Sequence, residues 1–189
     1  MTFSDFDTAK KDIRHRMERA VEVLHEEFAG LRTGRAATSL LEPVTVHAYG
    51  SDMPMNQVST ISAPEPRLLS IQVWDKGLVL AVEKAILESG LGLNPTTEGQ
   101  VIRVPIPVLT EERRQELTKV AAKYAEDARV AVRNIRRHAM DDLKRAEKDS
   151  QISQDALHDY ADEVQKWTDE FVGNIDESLA KKDAEIMQV

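Results

Sequence analysis

Arg129, Arg133, Arg136 and Arg137 stand at i, i+4, i+7 and i+8 within residues 128–138, a stretch that contains no acidic residue. On a helix that advances about 100° per residue, this spacing confines the four guanidinium groups to an arc of about 100°. The chemistry open to such a stripe is recognition of phosphates and exposed bases, because the planar guanidinium fork donates bidentately to phosphate oxygens and stacks on aromatic rings. The competing reading is a solvated face whose arginines pair with acids of a neighbouring helix. Two features favour phosphate: no acid inside the block stands at i,i+4 to neutralise it, and its charged residues are all arginine.

Other groupings promise less. No two of His15, His25, His47, His138 and His158 stand three or four residues apart, as a helical zinc pair requires. Residues 90–95, Gly-Leu-Gly-Leu-Asn-Pro, lack the Lys-Ser or Lys-Thr of a phosphate loop and follow a helical pattern instead of a strand, so they read as a helix stop and turn. The absence of Cys excludes disulfides, thiolate metal sites and a cysteine nucleophile, and fits a reducing compartment. No nucleophile with a base at matching spacing is visible, so neither a catalytic residue nor a metal or cofactor is expected.

The arginine stripe needs a long, uninterrupted helix. From Thr110 to about Asp149 the apolar series Leu117, Val120, Tyr124, Ala128, Ala131, Ile135, Ala139 and Leu143 runs without Gly or Pro. Ile13, Met17, Ala20, Leu24, Phe28 and Leu31 form a similar seam between Asp5 and Leu31, with Ser4 and Asp7 as an imperfect capping box. A third seam follows the N-cap Ser153: Leu157, Tyr160, Val164, Trp167, Phe171, Ile175, Leu179 and Ile186. Three narrow apolar stripes are covered most simply against one another, which predicts a long antiparallel three-helix bundle.

Residues 33–105 read differently. Val44, Val46 and Ala48 alternate with polar residues, as do Leu69, Ile71 and Val73, while 58–61 and 101–104 are short β-rich runs. Between them residues 80–89 have helical spacing and stop at Gly90. The expected fold class is therefore α+β: a bundle formed by 1–32 and 106–189, with a small β/α/β domain, 33–105, inserted after the first helix. The connections, Thr33-Gly34-Arg35 and Pro105-Ile106-Pro107, are the expected hinges, since the prolines cannot donate to a sheet ladder.

Composition agrees with a folded, helix-rich chain: of 189 residues 41% are hydrophobic and 31% charged. The net charge of -8 would argue against nucleic acid were it uniform, but residues 150–189 alone hold 10 acidic and 3 basic side chains, whereas 106–149 hold 9 and 11. No apolar run approaches the roughly 20 residues of a membrane span, so a soluble cytoplasmic chain with no membrane partner is expected.

Six segments together carry a family resemblance: Leu31-Arg32-Thr33-Gly34-Arg35-Ala36, Ala81-Val82-Glu83-Lys84-Ala85-Ile86, Gly92-Leu93-Asn94-Pro95, Ile102-Arg103-Val104-Pro105-Ile106-Pro107, Leu109-Thr110-Glu111-Glu112-Arg113-Arg114, and 128–137. In this order and at these separations they resemble the bacterial ribosome recycling factors across the whole chain. Val79-Leu80 departs from that family's small polar residue and proline. The resemblance implies an L-shaped protein whose bundle binds the large ribosomal subunit, through ribosomal RNA, after termination. With elongation factor G and its GTP hydrolysis, such a factor separates the subunits, with no enzymatic activity or cofactor of its own. Carried over by motif, Arg32, Arg35, Arg129, Arg133, Arg136 and Arg137 would face RNA, and the chain is expected to act as a monomer. The alternative from a different class is a coiled-coil adaptor or chaperone whose inserted domain holds a client; an RNA-processing enzyme ranks third.

Overall fold

The computed structural model describes residues 6–188. In chain order the elements are α1 (Phe6–Ala29), β1 (Thr45–Ala48), β2 (Ser51–Pro54), β3 (Ser59–Glu65), β4 (Leu68–Val73), α2 (Val79–Glu88), β5 (Thr96–Glu98), β6 (Val101–Pro105), α3 (Glu111–Lys148) and α4 (Gln154–Met187). They divide into two compact units, one comprising the chain up to Arg32 together with 111–188, the other Thr33–Thr110.

In the first unit α1, α3 and α4 form a bundle. Lys10 pairs with Glu163 at 2.8 Å, Arg14 grips Glu170 through two bonds of 2.8 and 3.1 Å, and His25 Nε2 lies 3.0 Å from Ser178 Oγ, so α4 runs parallel to α1. Bonds from Arg129 to Asp176 and from Arg136 to Gln165 show that α3 runs against both. Its buried seam is Arg114, Leu117, Ala121, Ala125, Ala128, Val132, Ile135, Ala139, Leu143 and Ala146, in steps of three and four.

That seam is offset by one residue from the series expected at Val120, Tyr124 and Ala131. Choosing the larger apolar residues misplaces the centre, because α3 buries alanines where helix axes approach closely and leaves Val120 and Tyr124 half-buried at the flank. The same correction places Val21 rather than Ala20 in the core, and Thr168 rather than Trp167. Thr168 is satisfied within its own helix, its hydroxyl donating to the Val164 carbonyl at 2.8 Å.

Helix ends follow local chemistry. Ser153 caps α4 as expected, accepting from the Ala156 N–H at 3.1 Å. The N-cap expected at Ser4 lies outside the described residues. At the end of α3, Ser150 adopts φ +56° and donates to Glu147 O at 2.9 Å, while Gln151 donates to Ala146 O at 2.8 Å, the paired bonds of a Schellman stop.

The second unit contains a β1–β2 hairpin and an antiparallel four-stranded sheet in the order β3-β4-β6-β5. Leu69, Ile71 and Val73 of β4, Ile102 and Val104 of β6, and Val46 and Ala48 of β1 point into one core, onto which α2 lays Val79, Val82 and Ile86. Strands β2 and β5 have no alternating apolar pattern and were not expected. A turn with positive φ at both Tyr49 (+52°) and Gly50 (+78°) makes the β1–β2 hairpin, and Gly99 at +65° opens the β5–β6 turn. The start of α2 is set by Asp75, whose carboxylate accepts the Gly77 N–H at 2.8 Å in a 3-10 turn, Lys76–Leu78, that leads into the helix. Asp75 also accepts the Tyr49 hydroxyl, and these two bonds hold its pKa below the ordinary carboxylate value, the Tyr49 bond contributing more.

The return connection departs from expectation. Pro105 stands opposite Leu68 in the ladder, the Ile106 N–H donates to Arg67 O at 2.8 Å, and the Ile106 side chain is buried in the core of this unit. A proline that cannot donate is tolerated here because the next amide makes the bond. The boundary therefore falls after Thr110, not after Pro105. On the outgoing side Ala36 N–H donates to Pro66 O at 2.7 Å, and Gly34 adopts φ +75°, which disfavours a side chain, while a β-carbon there would crowd Leu109 Cγ at 3.1 Å.

Candidate nucleic-acid interface

The arginine stripe lies on α3 where the spacing puts it, but its members meet different surroundings. Arg129 is only 18% exposed and is held by Asp176 of α4, at 2.6 Å, and by Glu126 one turn earlier, at 3.0 Å. Burial opposes its charge, yet the bonds to Asp176 and Glu126 outweigh that penalty and hold its pKa above the ordinary guanidinium value. Arg136 is half-buried, donates to Gln165 Oε1 of α4 at 3.0 Å, and keeps a buried Nε with no hydrogen-bond partner. The competing reading, pairing with acids of a neighbouring helix, describes Arg129; Arg136 also reaches α4 but meets a neutral amide there.

Arg133 and Arg137 project outward. The Arg133 side chain is 51% exposed and touches one acid, Glu126, through a single contact of 3.5 Å. Arg137 is exposed and donates to the neutral amide oxygen of Asn134. The stripe thus has a row wedged into the α3–α4 seam and a row open to solvent, separated by the helical rotation between Arg129 and Arg137. The inference that the block lacks compensating acids fails for Arg129, because its acids come from just outside the block and from another helix.

Arg32 and Arg35 are both exposed, but Arg32 closes the first unit's leading segment and Arg35 belongs to the second unit. Arg32 follows α1 at the end of the bundle where α3 begins, and Arg133 lies 22 residues into α3, about 33 Å along its axis. Arg32 and the outward arginines of α3 are therefore well separated along the bundle. Sequence reasoning passed over Glu126, Asp176 and Gln165, which restrain the arginines; heptad spacing between Arg129 and Arg136 was the available signal that both face a neighbouring helix. It also passed over Lys119, Lys123, Lys144 and Lys148, which are exposed and fall within about 40° of Arg137 around α3, as do the exposed acids Glu112, Glu126 and Asp141, so that face is of mixed charge on either side of the stripe.

Residues 24–187 match the family model described as ribosome recycling factor. The chain belongs to the ribosome recycling factor family. It is 62% identical over 178 residues to the ribosome-recycling factor of Parvibaculum lavamentivorans, covering 94% of this chain and 95% of that one, and 59% identical to that of Xanthobacter autotrophicus over the full length of both. The fold matches the solution structure of a ribosome recycling factor with a TM-score of 0.71 at 46% identity, over 95% of each chain. It also matches, with a TM-score of 0.64 at 44% identity over 96% of this chain and 98% of the other, the T. thermophilus ribosome recycling factor, which is described with E. coli elongation factor G bound to the E. coli post-termination complex.

No helix among the described residues is long and apolar enough to cross a membrane. The groove of about 340 Å³ between α2 and the start of β1, lined by Pro43, Val44, Thr45, Ala85, Glu88, Ser89 and Leu91, offers a single ionisable group, Glu88.

Proposed function

We propose that this chain is a cytoplasmic ribosome recycling factor: it binds the large ribosomal subunit after termination and, with elongation factor G and the GTP that partner hydrolyses, separates the subunits. It acts as a monomeric binding factor and carries out no chemical step of its own. The observation that supports this most is the family match over 24–187 coinciding with a solvent-facing pair of arginines on a 38-residue helix. In this reading Arg133 and Arg137 contact ribosomal RNA phosphates, Arg32 and Arg35 each face RNA from their own unit, and Arg129 and Arg136 brace the helix that presents the first pair.

The second part of the proposal is a hinge. Thr33, Gly34 and Arg35 form one connection, and the return connection is the segment from Pro107 to Thr110. Pro105 and Ile106, tied into the second unit's sheet and core, move with that unit. Freedom at these two connections lets the bundle stay seated on RNA while elongation factor G displaces the inserted unit.

Co-sedimentation with large ribosomal subunits across a salt series tests the RNA reading. Affinity falls steeply with salt, and Arg133→Ala with Arg137→Ala lowers the slope of log affinity against log salt by roughly one to two. An adaptor or chaperone would show no salt-sensitive affinity for the subunit. Unchanged affinity and slope in a folded double variant would leave the arginines as ordinary surface.

A further inference from the structure

Glu126 is bonded to two members of the arginine stripe at once, and unequally. One carboxylate oxygen lies 3.0 Å from Arg129 Nη1 and the other 3.5 Å from Arg133 Nη1. Arg129 is held a second time by Asp176 and is mostly covered, so it cannot leave; Arg133 is half-exposed and has no other acid among the described residues. Helical side chains lean toward the N-terminus, so Arg133 reaches Glu126 by lying back along two turns of α3. Ahead of it, one turn on, Arg137 carries an exposed guanidinium whose bond to Asn134 leaves its charge unneutralised.

We propose that Glu126 is an internal competitor for RNA phosphate and a determinant of where that phosphate sits. Its carboxylate occupies, on Arg133, the place a phosphate oxygen would take. Binding swaps a weak, exposed carboxylate contact for a phosphate contact. Glu126 then stays in place, tethered by Arg129, and repels negative charge from the N-terminal side of Arg133. The phosphate is thereby directed to the gap between Arg133 and Arg137, which as i,i+4 neighbours lie close enough to bridge it. This rests on the RNA-binding reading above and adds to it a residue that opposes binding.

The test is affinity for purified large ribosomal subunits over a salt series, measured for the full chain, Glu126→Gln, Arg133→Ala, the double variant, and Asp155→Asn as an exposed acid on α4. Glutamine keeps the shape and the acceptor oxygen, so thermal unfolding checks that the bundle is intact. Exposed ion pairs of this kind correspond to a change of about two- to fivefold. Glu126→Gln tightens binding by that factor and steepens the salt slope by up to about one. The gain disappears in the Arg133→Ala background, and Asp155→Asn gains clearly less. Equal gains from Glu126→Gln with and without Arg133, or from Asp155→Asn, would reduce the effect to overall charge and overturn the proposal. An unchanged affinity in Glu126→Gln would overturn it too, provided Arg133→Ala weakens binding; if Arg133→Ala has no effect, the RNA-binding reading itself is what fails.

Discussion

At the scale of single residues, charge alone does not say what an arginine is for. Arg129 and Arg133 are one turn apart in the same stripe, yet the first is locked between two acids and the second rests on one weak contact. Arg129→Ala should therefore act on stability, costing about 1 kcal/mol and lowering the unfolding midpoint by a few degrees in thermal circular dichroism. Arg133→Ala should leave that midpoint almost unchanged. The sequence displayed the four arginines and their common arc, but Asp176 lies 47 residues away from Arg129 and no local pattern reveals that it meets it. Asp183 makes a second residue-scale case. Its Oδ1 is buried without a partner, and burial raises its pKa above the ordinary carboxylate value. A raised folded-state pKa means the folded chain binds the proton more tightly than the unfolded one, so stability declines as pH rises through the folded value. Asp183→Asn should be more stable than the parent at neutral pH, with the advantage fading as pH falls through the folded value and gone below about 4, the ordinary carboxylate value, where the carboxyl becomes protonated in both states. An advantage independent of pH would show that the buried charge is not its cause.

At the scale of elements, periodicity was a sound guide to the existence and length of the long helices and a poorer one to their buried centres. Ala121, Ala125 and Ala128 carry little hydrophobic signal, yet they are what lets α3 approach its neighbours closely. Ala125 is fully buried, so Ala125→Leu should overpack the seam and destabilise the bundle by about 1–3 kcal/mol, read from the helical signal in thermal unfolding. The same change at exposed Lys123 should cost little, and equal losses at both positions would refute the assigned seam. Strand β4 was legible because Leu69, Ile71 and Val73 alternate with polar residues; β2 was not, because Ser51-Asp52-Met53-Pro54 has one partly buried side chain and owes its place to the Tyr49-Gly50 turn. Pro105 misled for a related reason, since a missing donor argues against a strand only where no neighbouring amide makes the next bond.

At the scale of the whole molecule, each unit has its own core, and the proposed hinges are the connections at 33–35 and 107–110. In the proposed function the bundle seats on RNA and elongation factor G works on the inserted unit. The measurement that bears on this most directly is light scattering from post-termination ribosomes with elongation factor G and GTP present, as this chain is added. Scattering should fall rapidly as subunits separate. No fall is expected with a bundle in which residues 33–110 are replaced by a short Gly/Ser loop, although that bundle still co-sediments with the large subunit. Undiminished scattering with the intact chain bound, or full splitting by the bundle alone, would contradict it.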